Sequence, residues 1–552
     1  MLQLGISAFY HDSAACIVRH GEVLAAAEEE RFTEIKHDSS FPSNAIAYVL
    51  SEVGIEDIND IDEVCWYEKP KVKKDRVLKT FNKHFFKTFK NRLIFLYNYY
   101  FNSPKNLLKR HFQYKGLIKY TDHHLSHAGF SYYTSPFKNA AILTVDGVGE
   151  WETITISKGE GPDITKMYSV DFPNSLGMLY STITAFLGFK PNEGEYKVMG
   201  LAPFGDPLKY INKLSKIFDG KGNIDQKYFT WEYSEKIMFN IEFCKLLGLP
   251  PRFKEEPITQ DHKDLAAALQ KIYEREFEKL VHKAKQLTGS PNICLGGGCA
   301  YNGVANVLAY NHFRSVYIPF APSDAGSAIG ACLINNPISG YTTDNGSPYL
   351  GNGYSDHEIK NILNTYKDKV KVESFNESKL VEKTAEIIND QKIVAWFQGR
   401  MEFGARALGN RSILASPRDA SMRDKLNRVI KKREGFRPFA PSVTVNQASK
   451  WFNLKQSVPY MNIVLQAKTN KFKAATHIDG SCRVQTVDKY QNPLYFKLIK
   501  EIGKKSGAEV VLNTSYNLKD QTITRTPQQA IERFLDSDID NLVIDKFIIS
   551  KK

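Results

Sequence analysis

Two stretches about 135 residues apart follow one plan. Residues 2–30 read as a strand (LQLGISAF), a polar turn (YHDSA), a strand (ACIVR), a tight turn at His20-Gly21 and a strand (VLAAAEEE). Residues 140–171 repeat it with AAILTVD, GVGEW, ETITIS, KGEGPD and ITKMYSV. Unless two β-rich stretches coincide by chance, a unit that recurs in this way confines the chain to duplicated architectures.

A doubled hairpin with a small acidic loop is what a duplicated actin-like or sugar-kinase-like α/β fold shows, each half holding phosphates in its hairpin loop. Helical patterns follow at 174–186 and around 263–286. The text PNICLGGGCAYNGVANVLAY then gives a strand, three glycines and a helix. Gly296, Gly297 and Gly298 at such a turn let backbone N–H groups approach phosphate, helped by the helix dipole, or serve only tight packing.

The sharpest local feature is DHHLSHAGF. His123 and His127, four apart, share one face of a helix, a spacing that suits a metal. An apolar run then ends in Asp146 and a glycine loop, the end of a strand where open α/β sheets put ligands. The alternative is that either histidine merely caps or packs. Further on, PFAPSDAGSAIGAC offers Asp324 ahead of a small-residue helix, as one more carboxylate for the same cleft.

A loop-rich stretch at about 335–356 marks the expected domain boundary. Beyond it come helices, the strand KIVAWFQG and then Arg400, Arg406, Arg411 and Arg418. Interleaved with glycine and serine rather than acids, these arginines suit an anionic oxygen ligand such as phosphate better than structural ion pairs. Arg483 follows in DGSCRVQTV, and Asn513, Thr514 and Ser515 in VLNTSYN after a strand.

The net charge of +13 suggests nucleic acid until it is located. Residues 69–119 carry fifteen Lys or Arg against one acid, Asp75, a net of +14 that leaves the remainder at −1. There cations alternate with Phe and Tyr, and three readings stay open: a helical insertion with wet lysines, a surface for an anionic membrane or glycolipid, or a nucleic-acid platform. With 42% apolar and 24% charged residues the composition is that of a globular protein. The start lacks a basic leader and no apolar run reaches eighteen residues, so neither a secretory leader nor a spanning helix is expected. Seven scattered cysteines without a CxxC pair fit a reducing cytoplasm.

Taken in order, FYHDSAACIV, EERFTEIKHDSSFP, DHHLSHA, VDGVGE, EGEYKVMGLAPFG, GGGCAYN, SDAGSAIGA, GRMEFGARALGNRSILASPR, KKREGFRPFAPSV, DGSCRVQTV and LNTSYN resemble the O-carbamoyltransferase family that includes NodU, CmcH and TobZ. The resemblance runs over nearly the whole chain. It implies a duplicated actin-like (ASKHA-type) domain over 1–345, which passes a carbamoyl group to an acceptor hydroxyl, and an α+β YrdC-like domain over 357–552, which makes carbamoyl-adenylate from carbamoyl phosphate and ATP. By motif match the metal ligands would be His123, His127, Asp146 and Asp324, with iron(II) the expected ion and magnesium a further candidate.

Gly296, Gly297, Gly298 and Asn302 would hold the nucleotide, with Glu195 and Lys197 bordering the cleft. Lys431, Arg437, Arg483, Asn513 and Ser515 match the carbamoyl phosphate and ATP-phosphate positions. His11 is the candidate base for the acceptor hydroxyl, or a loop residue that only binds the acceptor. The acceptor expected is a sugar, glycolipid or secondary metabolite. A tRNA-modifying enzyme of the threonylcarbamoyl type and a non-catalytic ATP-binding ASKHA protein are the alternatives, though confinement of the basic charge to one segment argues against nucleic acid. After LNTSYN this chain reads LKDQTIT where the family continues with a Gly-Glu-Pro-Ile run.

Overall fold

A computed structural model describes residues 1–219, 222–234, 237–336 and 346–552. The chain forms two compact units. One comprises Met1–Glu29 with His37–Gly346, the other Glu30–Lys36 with Ser347–Lys552. The stretch expected to hold the domain boundary lies partly outside the described residues.

In the first unit β1 (Leu2–Ser7), β2 (Ala14–Arg19) and β3 (Glu22–Glu28) form an antiparallel meander. His20 and Gly21 both take positive φ, 50° and 83°, as a two-residue hairpin turn requires. β4 (Glu63–Trp66) and β5 (Ile118–Tyr120) extend the sheet in parallel beyond β1, giving the order β3-β2-β1-β4-β5.

The second sheet repeats this strand for strand. β6 (Asn139–Val145), β7 (Glu152–Glu160) and β8 (Asp163–Asp171) are the antiparallel members, and β9 (Asn292–Gly296) and β10 (Ser315–Tyr317) the parallel ones, in the order β8-β7-β6-β9-β10. The unit is thus a duplicated actin-like α/β domain. In each half a helix follows the last strand, His123–Tyr133 after β5 and Asp324–Asn335 after β10. The two helices pack so closely that a Cβ on Gly330 would stand 1.9 Å from the Ser126 carbonyl oxygen, so only glycine permits the crossing.

The basic segment fills the crossover between β4 and β5 with three helices, Pro70–Lys83, Phe85–Phe101 and Pro104–Phe112. One expected helix is corrected. After the three glycines the chain makes a 3-10 turn at Gly298–Tyr301, a four-residue helix at Gly303–Asn306 and another 3-10 turn at Val307–Asn311. No long helix aims its dipole at that loop.

The second unit is built on one mixed sheet. Its strands are β11 (Val370–Ser374), β12 (Val394–Phe397), β13 (Arg411–Ala415), β14 (Ala440–Thr444), β17 (Gln485–Val487), β18 (Val510–Ser515), β19 (Asn541–Ile544) and β20 (Phe547–Lys551), in the order β11-β20-β19-β12-β13-β18-β14-β17. A ribbon of β15 (Val464–Gln466) and β16 (Ser481–Arg483) accompanies it. Side chains alternate along the strands. Ala395, Phe397, Ile413 and Leu542 therefore feed one core with helix Pro527–Leu535, while Val394, Trp396, Leu414 and Val543 feed another with helices Glu377–Asn389 and Pro493–Ser506.

The seven residues Glu30–Lys36 join the second unit although His37–Gly346 of the first follows them. Arg31 donates to the Gly404 carbonyl at 2.9 Å, and Arg525 donates to the Arg31 carbonyl at 3.1 Å. The Arg525 guanidinium stacks 4.5 Å from the Phe32 ring centroid, and Glu34 meets Gln529 and Arg533. The expected range 1–345 had placed this segment in the other domain.

Candidate active site

The helix His123–Tyr133 starts without a side-chain capping hydrogen bond to its N-cap residue Asp122. Glu150 takes that place, its carboxylate accepting the His123 N–H at 3.1 Å and the Lys69 N–H at 2.6 Å. This fixes the first helical turn against the glycine loop after β6. The four expected ligands His123, His127, Asp146 and Asp324 are all buried, and one ligand atom from each lies within 4.8 Å of the others. Asp146 Oδ2 stands 2.8 Å from His127 Nε2 and 3.1 Å from His123 Nε2. The two Nε2 atoms are only 3.1 Å apart. His127 Nδ1 pairs with Ser327 Oγ at 2.9 Å, which orients Nε2 toward the cluster.

Asp324 is the informative member. It is 0% exposed, and among the described residues neither carboxylate oxygen accepts a hydrogen bond. His127 Nε2 and His123 Nε2 stand 3.4 and 3.8 Å from Oδ1. A bare buried carboxylate facing two imidazole nitrogens and a second carboxylate is stable only with a cation or added protons among them. A two-His, two-carboxylate set is the donor chemistry of a divalent metal of the first transition row, so the residues fit one.

The charges agree. Burial pushes the His127 imidazole down, but the Asp146 and Asp324 carboxylates outweigh it and lift its pKa to about 9. Burial would raise the Asp146 carboxyl, yet His123 and His127 hold it well below the usual carboxylate range. His124, between them in sequence, is pushed well down by burial and by its histidine neighbours, and it pairs with Thr144 Oγ1 at 2.6 Å. It packs on β6 and is no ligand.

His11 lies in the loop after β1, with Nδ1 3.0 Å from Asp12 Oδ2; the other Asp12 oxygen holds His37 Nδ1 at 2.6 Å. Burial lowers the His11 pKa, but Asp324, Asp12 and Asp146 together raise it to about 10. As the chain stands, then, His11 is a protonated donor near neutral pH.

The three glycines lie against this cluster. Gly297 has φ 85°, and a Cβ there would stand 2.2 Å from the Val145 carbonyl oxygen. A Cβ on Gly298 would come 3.2 Å from Asp146 Oδ1. Asn302 exchanges hydrogen bonds with Gln270 at 3.1 and 3.2 Å, and Gln270 accepts from Tyr180 at 2.9 Å. Glu195 accepts from Ser181 Oγ at 2.6 Å and the Asn192 N–H at 2.9 Å, and the Lys197 ammonium lies 5.6 Å from the Phe189 ring centroid.

A second candidate site lies in the second unit. Lys431 is buried, and its ammonium donates to the carbonyl oxygens of Ser515 (2.5 Å) and Asn517 (2.9 Å) and to Asn517 Oδ1 (2.9 Å). Burial lowers its pKa, and Arg433, Arg437, Lys36 and Arg533 drive it well below the usual lysine range. A buried ammonium among cations is a setting for an anion. Arg437 stands 3.4 Å from Glu434, and Arg483 ends β16. The departing text LKDQTIT closes the loop itself, with Gln521 Oε1 accepting the Leu518 N–H at 3.0 Å.

Three residues expected at phosphate positions are engaged with the protein itself. Asn513 is turned into the core, its amide donating to the Ala407 carbonyl at 3.1 Å and to Gln485 Oε1 at 3.0 Å. Arg411 is fully buried over the Phe397 ring and donates to the carbonyls of Gln398, Asn410, Asn352 and Gly399. Arg400 likewise donates to Gly351 and Leu350. The absence of neighbouring acids in sequence had pointed to phosphate, but backbone carbonyls are the partners. Glu150 and Ser327 were missed; Ser327 lies one turn from Asp324 in SDAGSAIGA, a spacing that could have shown it.

A family model described as Carbamoyltransferase N-terminus matches residues 2–333, and one described as Carbamoyltransferase C-terminus matches 385–551. The chain is 37% identical to an uncharacterized protein of Synechocystis sp., over 99% of this chain and 96% of that one. It is 34% identical to the nodulation protein NolNO of Sinorhizobium fredii, over 99% of this chain and 79% of that one. It is 33% identical to the 3'-hydroxymethylcephem-O-carbamoyltransferase of Amycolatopsis lactamdurans, over 58% of each chain.

Proposed function

Because the chain belongs to the carbamoyltransferase family, we propose that it moves a carbamoyl group from carbamoyl phosphate, by way of carbamoyl-adenylate, to an alcohol oxygen of a sugar, glycolipid or secondary metabolite. The second unit, YrdC-like on this reading, does the adenylation. Carbamoyl phosphate gives up inorganic phosphate to water, the carbamate oxygen attacks the α-phosphorus of ATP, and pyrophosphate leaves. Lys431, Arg437 and Arg483 bind the phosphate oxygens, and Ser515 orients the carbamoyl group. In the first unit the acceptor hydroxyl attacks the carbamoyl carbon, and AMP departs with the electron pair of the broken bond.

His123, His127, Asp146 and Asp324 would hold a divalent cation, iron(II) on our reading, which would supply positive charge toward the departing AMP and against the carboxylates that keep His11 protonated. His11, tied to Asp12 through Nδ1, takes the hydroxyl proton. Gly296, Gly297 and Gly298 bring backbone close to the nucleotide, with Asn302, Glu195 and Lys197 beside it.

The observation that carries this reading is the buried Asp324 carboxylate, without a hydrogen bond among the described residues, in a four-residue cluster beside the glycine loop. The test supplies carbamoyl phosphate and ATP without an acceptor. Pyrophosphate release that depends on carbamoyl phosphate is expected, and release no faster than without carbamoyl phosphate would overturn the adenylate route.

A further inference from the structure

The helix Phe85–Phe101 carries an apolar stripe on its outer side. Phe85, Phe89, Leu93, Tyr97 and Phe101, each four residues from the last, wind around the helix by about 40° a step and are 44% to 60% exposed; Leu93, Tyr97 and Phe101 fall within about 80° of one another on the outer side. Ile94, also exposed, widens the stripe. The other side of the helix rests on Pro70–Lys83, with Phe95 edge-on to Phe81 at 6.3 Å and Lys74 4.6 Å from the Tyr99 ring centroid. The stripe is therefore not the packing face. Seventeen residues at about 1.5 Å each make it roughly 25 Å long.

The insertion that carries this stripe is strongly basic. The insertion 69–119 holds a net +14 with a single acid. Lys69, Lys73, Lys83 and Lys119 are neutralised by Asp122, Glu68, Glu232 and Glu63. Lys71, Lys90, Lys105 and Lys109 reach no carboxylate among the described residues.

We propose that the stripe on Phe85–Phe101 and the unpaired lysines of the same insertion dock the protein on the surface of an anionic lipid bilayer. The helix lies flat, its aromatic and aliphatic side chains at the headgroup boundary and its lysines at the lipid phosphates. Charge complementarity selects this occupant. A second copy of the chain would bring one strongly basic insertion against another. Nucleic acid would satisfy the lysines, but Leu93 and Ile94 in the middle of the stripe have no π-face on which a base could stack, whereas acyl chains accept them. Since no helix among the described residues is long and apolar enough to cross a membrane, the contact lies on the surface. The consequence is placement: a chain held on a bilayer meets acceptor hydroxyls that are themselves anchored in lipid.

The test is co-sedimentation of the full chain with vesicles of phosphatidylcholine alone or with about a third phosphatidylglycerol, where anionic lipid is expected to supply the electrostatic attraction. Binding to the anionic vesicles only is expected, weakened at least ~10-fold between about 0.1 and 0.5 M salt, as screening shortens the field. The triple variant F89S/L93S/Y97S should lose at least ~10-fold in binding, since each change removes apolar area from the boundary. Phe89, Leu93 and Tyr97 are each more than half exposed, so the variant's melting temperature serves as a folding control. In Tyr97→Trp, fluorescence should shift to the blue with anionic vesicles and not with phosphatidylcholine.

Sedimentation equal for the triple variant and the parent overturns the proposal, as does an unshifted Tyr97→Trp spectrum. Concentration-dependent dimers or tRNA binding, with no vesicle binding, overturn it in favour of those partners. None of these readouts requires turnover, so failure here leaves the proposed reaction standing, and failure of the pyrophosphate test leaves this one standing.

Discussion

The protonation of His127 and His11 ties the site to pH. Both pKa values, about 9 and about 10, lie above the ordinary 6.5. A group whose pKa rises on folding stabilises the native state fully below its unfolded value and loses that contribution as pH climbs through the folded one. The metal-free protein should therefore melt lower at pH 10 than at pH 6.5, by several degrees, in calorimetry with a chelator present. A flat profile over that window would contradict the clustering of charges around Asp324. With metal the trend should weaken, because His127 must give up its proton to ligate and the cation then takes over the carboxylates.

At the scale of elements, the loop GRMEFGARALGNRS shows what sequence does and does not reveal. Glu402 is buried and accepts the backbone N–H groups of Leu408 (2.7 Å), Asn410 (2.7 Å) and Arg411 (3.1 Å). Glu402→Ala should destabilise the second unit by at least about 3 kcal/mol in urea unfolding, because it leaves three buried donors unpaired. The meanders β1–β3 and β6–β8 and the histidine pair on one helical turn were legible because strand and helix periods are local signals. The partners of Arg411 and Asn513 were not, because a backbone carbonyl has no letter of its own. The broken helix after Gly298 did leave a local trace. Gly303 and Asn302, Asn306 and Asn311 weaken a helix there, and the close approach of Gly297 to Val145 fixes the turn before it.

For the whole molecule, the proposed division of labour predicts a separable defect. In His127→Ala the bound metal, read by elemental analysis, and carbamoyl transfer should both be lost, while pyrophosphate release stays within about twofold of the parent, because the site around Lys431 keeps every contact. Loss of both activities would mean that the two reactions are not divided as proposed.

The seven residues Glu30–Lys36 add a constraint of another kind. They leave the ribosome early, yet Gly404, Arg525, Gln529 and Arg533, which they pack against, are made some 370 to 500 residues later. Until then the chain carries an open seam just after β3, and contacts of such sequence separation form slowly. The same seam means that no single cut in the gene yields two whole units. A fragment beginning at Ser347 would lack the piece that faces Arg525, and a fragment ending before it would carry that piece as a loose end.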